Sequence, residues 1–135
     1  MSETIEVVLE RFGSKVALLE LYESQIPLNF ANISKLSQVI TTAKRLGSLV
    51  LLSIPAQLRP EGTIMTSLKA GEVVVVPVAR SLGVVITDVE ALPLESYKAG
   101  IVKTGLENLR GLREGTILNA KFSLKQLEEP QRQQS

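Results

Sequence analysis

Gly71-Glu72-Val73-Val74-Val75-Val76-Pro77-Val78-Ala79-Arg80-Ser81-Leu82-Gly83-Val84-Val85-Ile86-Thr87-Asp88 is the stretch on which the fold turns. It holds two β-branched runs, Val73–Val76 and Val84–Thr87, and in neither do apolar and polar residues alternate. A strand that faces water on one side alternates with a period of two, so an unbroken apolar run reads as a strand covered on both faces. The short segment between the runs carries Pro77, Arg80, Ser81 and Gly83. A loop joining two doubly covered strands is a natural place for a site.

Outward from this centre, Thr4–Arg11 does alternate, with Ile5, Val7 and Leu9 on one face, and Phe12-Gly13-Ser14-Lys15 turns it back into Val16–Leu21 as a hairpin. Pro27 suits the first turn of a helix, and Phe30, Ile33, Leu36, Ile40 and Ala43 recur at steps of three and four, which predicts a helix ending at Gly47. Leu49–Ile54 reads as an apolar strand stopped by Pro55. Ala56–Ala70 reads as loop, with a short strand over Ile64–Ser67, and Val89–Ala99 as a connection. Ile101–Lys103 is a brief strand before a second helix, for which Thr104-Gly105-Leu106-Glu107 has capping-box spacing. In the last strand Leu118, Ala120, Phe122 and Leu124 point inward. Residues 126–135 form a polar tail expected to be disordered, leaving residues 1–125 as one domain. Many strands, two helices and no βαβ rhythm predict a small, mainly β barrel whose ends the helices plug.

The composition narrows the chemistry. At 135 residues the chain fits a single core. Without cysteine there is no disulfide and no thiolate, and without histidine the commonest general base and metal ligand are missing. A net charge of +1 with scattered basic residues argues against nucleic acid as a partner. No apolar run approaches the roughly 20 residues that span a bilayer, and the acidic start is unlike a signal peptide. A cytoplasmic protein is expected.

Three segments carry a family resemblance. Lys15–Tyr22 followed by Pro27 and Asn32-Ile33 resembles the second strand and proline-led helix of cyclophilins. Gly71–Ile86 resembles their central strand pair, and Gly100-Ile101-Val102-Lys103-Thr104-Gly105-Leu106-Glu107-Asn108-Leu109 resembles the pattern before their last helix. Taken together the chain resembles small prokaryotic cyclophilin-like proteins of largely unassigned function, which share the Ser53-Ile54-Pro55 strand end. That resemblance implies a closed eight-stranded β-barrel with two helices covering the ends. It also implies a proline cleft, but the residues that line an active one are not matched here. The chain has no His and no Trp, Gly83 and Val85 stand where a glutamine and a phenylalanine are expected, and no arginine lies in Leu49–Ile54.

The expected function is therefore a non-catalytic binding module for a small molecule, peptide or protein in the cleft beside Val76–Gly83. The alternatives are a divergent peptidyl-prolyl isomerase and an oligomer-forming structural protein. The candidate ligand contacts are Arg80, Ser81, Gly83, Arg59 and Val76, with Arg80 and Arg59 able to offer paired donors to a carboxylate or amide carbonyl. No catalytic residue, metal or cofactor is expected. Asp88 suits a turn, Lys44-Arg45 suits a helix end, and the hydroxyls of Thr41, Thr42, Thr63, Thr66 and Ser67 have no base to activate them.

Overall fold

The computed structural model describes residues 3–65 and 68–126. The N-terminal alternation forms a hairpin of β1 (Glu3–Arg11) and β2 (Ser14–Tyr22), with Ile5, Val7, Leu9, Leu19 and Leu21 all turned to the core. A short helix α1 (Pro27–Ile33) follows and buries Phe30 and Ile33. The chain then continues as β3 (Gln38–Leu46), β4 (Leu49–Ser53), β5 (Ile64–Met65), β6 (Glu72–Val76) and β7 (Ser81–Val85). After these come β8 (Ser96–Thr104), α2 (Leu106–Arg110) and β9 (Ile117–Gln126).

Eight of these strands pair in the order β2-β1-β9-β3-β4-β7-β6-β8, and β8 pairs back onto β2, so the sheet closes on itself as an antiparallel barrel. The two-residue β5 hangs on the outside edge of β8. Closure leaves no free edge along the wall, which removes the usual template for strand addition. α1 leaves the Tyr22 end of β2, whereas Asn108 of α2 donates to the Val16 carbonyl near the other end of the same strand, so the helices cover opposite ends. Leu109 of α2, Leu112 just beyond it, and Phe30 and Ile33 of α1 join one interior cluster with the inward residues of the barrel. Among the described residues no helix is long and apolar enough to cross a membrane.

The valine runs are covered on both faces, as their pattern predicts. Val73, Val75, Leu82 and Val84 face the barrel interior, while Val74, Val76 and Val85 face outward with Leu49 and Leu51. Two crossing segments cover that outer face. In them residues 54–65 and 68–71, on one side, and 86–95, on the other, are joined by a Leu68–Val89 bridge and lay Met65, Leu68, Val89, Leu92 and Leu94 over the outward side chains. Each fully buried valine is worth about 1.5 kcal/mol or more, so an uncovered outer face would lose several kcal/mol.

The structure corrects several local expectations. The helix predicted from Pro27 to Gly47 stops at Ile33, and its second half is β3. Val39-Ile40-Thr41-Thr42 is a β-branched run that favours a strand, and strand parity turns Thr41 and Ala43 inward while leaving Ile40 exposed at 66%. Val89–Ala99 is not all connection, since Ser96–Ala99 begins β8, and Ile101–Lys103 is the later part of that nine-residue strand. Thr104 does not cap α2. Gly105 does, at φ +93, because it crosses so close over β2 that a β-carbon would strike the Val16 carbonyl and Ala17. Leu124 pairs with Ile5 and points the same way, but at the barrel mouth it stays half exposed. Gln126 pairs with Glu3 as the last residue of β9, and the tail beyond it, like Thr66 and Ser67, lies outside the described residues.

The β2–β8 seam depends on Gly100. A β-carbon there would overlap the Glu20 carbonyl oxygen, which belongs to the neighbouring strand and cannot move without opening the ladder. Gly100→Ala is expected to destabilise the barrel by about 3 kcal/mol or more in chemical denaturation, well beyond an ordinary surface substitution.

The same seam carries a titrating group. Tyr22 donates its hydroxyl to Glu20 Oε1 at 2.8 Å, and burial, that hydrogen bond and the Glu20 charge push its pKa up to about 12. A raised pKa means that the folded state holds the proton more tightly than the unfolded one. Its contribution is complete below the ordinary tyrosine range near 10 and disappears as pH rises toward about 12. Denaturation midpoints should therefore fall over that window in the wild type, and fall less in Tyr22→Phe.

Candidate functional site

The end of the barrel covered by α1 is built from three local features. The first is the β6–β7 connection, where Pro77 starts a single 3-10 turn and the next residue, Arg80, takes a left-handed backbone at φ +51. The Arg80 N–H donates to the Pro77 carbonyl at 3.0 Å, and its own carbonyl accepts the Ile54 N–H at 3.1 Å. The backbone is thus held on both sides while the side chain stays exposed. A left-handed conformation costs a residue with a β-carbon about 1–2 kcal/mol, and such strain is often kept where a side chain must be aimed.

The second feature is a pair of side chains that straps the loop after β4 to α1. Asn29 is fully buried, and its amide both donates to the Arg59 carbonyl and accepts the Arg59 N–H, each at 2.9 Å. Glu61 accepts the N–H groups of Leu28 and Asn29 at 2.9 and 2.6 Å, meeting two donors that the first turn of any helix leaves unpaired. Asn32 donates to the Gln57 carbonyl at 3.0 Å.

The third feature is an open depression of about 450 Å³ beside the first, lined by Ile54, Pro55, Ala56, Gln57 and Arg80. Among the described residues Arg80 makes no ion pair.

Of the five residues singled out in the sequence, only Arg80 lines this depression. Ser81 is buried and spends its hydroxyl on the Ala79 carbonyl at 2.8 Å. Gly83 is not in the loop but in the middle of β7, where a β-carbon would press on Val74 at 3.0 Å and Val76 at 3.2 Å. Its lack of a side chain lets the outer cluster close. Val76 is fully buried in that cluster, and Arg59 contributes its backbone to the strap while its side chain is exposed outside the depression. Asp88 accepts the Ala70 N–H at 2.8 Å, the turn role its position suggests. Lys44-Arg45 lies on β3 and ends no helix of its own, yet Arg45 does serve a helix end, donating to the Arg110 and Leu112 carbonyls at the finish of α2.

Comparisons with known proteins speak to the fold. No protein-family model matches the chain, and no curated protein does. The solution structure of a hypothetical protein from Archaeoglobus fulgidus is similar, with a TM-score of 0.68 and 17% identity, covering 89% of this chain and 94% of that one. At that identity the likeness shows a shared fold.

Asn29 and Glu61 gave no signal in the sequence, since each reads as an ordinary polar residue until α1 and the loop meet. Asn29→Ala leaves both polar groups of Arg59 without a partner. It is expected to cost about 1–3 kcal/mol and to speed amide hydrogen exchange selectively across residues 55–62.

Proposed function

We propose that this protein is a non-catalytic binding module that holds an anionic group, such as the carboxylate of a small molecule or peptide, against Arg80. The observation that carries this reading is the strained, exposed Arg80, without an ion pair among the described residues, in a depression it lines with Ile54 and Pro55. A guanidinium offers two parallel donors to a carboxylate. A chain without histidine or cysteine supplies neither of the usual neutral-pH bases and nucleophiles, in keeping with recognition rather than turnover. The proposal takes the resemblance of Gly71–Ile86 to the central cyclophilin strands to reflect common descent, a view supported by the eight-stranded barrel with helices at both ends. It assigns the module to the cytoplasm, in keeping with a cysteine-free chain.

A second reading, a divergent peptidyl-prolyl isomerase, is favoured by one feature. Arg80 beside Pro55 and Ala56 would supply an electrostatic handle for a twisting amide with apolar groups near it for a proline ring. A protease-coupled isomerisation assay on the wild type and Arg80→Ala separates the two, because turnover lost in the variant would make the isomerase reading the better one.

Titration with small dicarboxylates, followed by amide chemical shifts, should perturb Ile54–Gln57 and Arg80 first. Arg80→Gly should abolish those shifts while leaving stability within about 1 kcal/mol of wild type, since glycine relieves the left-handed strain as it loosens the unfolded chain. Shifts confined to the far end of the barrel would overturn the reading.

A further inference from the structure

The opposite end of the barrel displays a second strained residue. Phe12 and Gly13 are the two central residues of the β1–β2 turn, with φ of +54 and +81. That pair of left-handed residues is the tight hairpin turn that ordinarily takes Asn-Gly, and a bulky side chain at its first position is an outlier. No packing offsets the strain, because Phe12 is 93% exposed with only the Arg11 guanidinium over its ring, 5.1 Å from the centroid.

Phe12 does not stand alone. Together with Ile40 (66% exposed) and Ile117 (62% exposed) it lines an open groove of about 430 Å³ on the outer face of β1, β9 and β3. Exposed single apolar residues are unremarked on most surfaces, but a contiguous set around a groove marks an interaction site. Asn119 lies in this groove, paired in register with Glu10 on one side and Ile40 on the other. Its Oδ1 is shut from solvent with no hydrogen-bond partner among the described residues. Two charged residues line the groove: Glu10, which is answered by Lys121 at 3.2 Å, and Arg11, which makes no ion pair among the described residues.

We propose that this groove docks an extended segment of a partner protein that carries apolar side chains with carboxylates beside them. The apolar side chains cover Phe12, Ile40 and Ile117, and a carboxylate meets Arg11. An anionic lipid surface is held by a cluster of cations, whereas Arg11 is the one cation that lines this groove among the described residues. A second copy of this chain brings the same groove, whose Glu10 is already answered by Lys121 and so offers no free carboxylate to Arg11. This surface lies at the other end of the barrel from Arg80, so either site can fail without the other.

The test uses the full chain and short synthetic peptides alternating Glu with Leu or Phe, against Lys-containing counterparts, read by fluorescence anisotropy. The acidic peptides are expected to bind and the basic ones not, with affinity falling about tenfold or more in Arg11→Glu and in Phe12→Asn. Phe12→Asn also restores the favoured turn residue, so its melting temperature should rise by about 3 °C even as binding is lost, an opposition that a structural role for Phe12 would not produce. Equal binding of both peptide sets, no binding of the acidic set, or affinity unchanged in both variants would overturn the proposal. So would concentration-dependent dimerisation abolished by Phe12→Asn, which would assign the groove to a second copy, or binding to phosphatidylglycerol vesicles in place of the peptides, which would assign it to a membrane surface.

Discussion

The structure depends on how closely β2 and β8 approach along the line where the barrel closes. At Gly100 the neighbouring backbone occupies the place a side chain would take, and at Gly105, just past the end of β8, it does so again. Only glycine permits this contact, and without it the ladder from β2 round to β8 would remain an open, curled sheet with two unpaired edges. Closure in turn defines an inside and two ends. The helices have a place to bury their apolar faces only because those ends exist.

Closing a barrel normally leaves its outer face in water, yet β6 and β7 are apolar on both sides. The chain resolves this by routing its two long crossings over that one part of the wall, pinned to each other at Leu68 and Val89. The barrel therefore has a double-layered side, where packing dominates, and a single-layered side of β1, β9 and β3, where Ile40 and Ile117 remain in solvent. The difference in cover explains why an exposed apolar groove arises on the second side and not the first.

Arg80 and Phe12 share one physical logic at opposite ends of the molecule. Each is a non-glycine residue held in a left-handed conformation by a tight antiparallel turn, and each presents an exposed side chain that the fold itself does not use. Glycine or asparagine would serve either turn better as far as stability goes. The two positions are therefore where the chain gives up local stability to aim a side chain outward.

Much of the architecture is legible in the residues alone. Unbroken valine runs predict double cover, the alternation of β1 and β9 predicts a one-sided wall, and the absence of βαβ rhythm predicts a barrel rather than a layered sheet. The misreadings have local causes. Phe30, Ile33, Ile40 and Ala43 fit a helical period by spacing, but Val39–Thr42 is β-branched and finds pairing partners in β9, so the ladder prevails over the period. Gly83 reads as a loop glycine because its neighbours Pro77 and Arg80 are loop residues, whereas its role appears only when Val74 and Val76 of the adjacent strand press on it. The strap of Asn29 and Glu61, the isolation of Arg80 from any carboxylate among the described residues, and the gathering of Phe12, Ile40 and Ile117 join positions far apart in the chain. Sequence determined which residues seek burial and with what period, because those are properties of single side chains and their neighbours. Tertiary structure alone decided which polar groups found partners and which were left exposed, because that depends on contacts made only when the barrel closes.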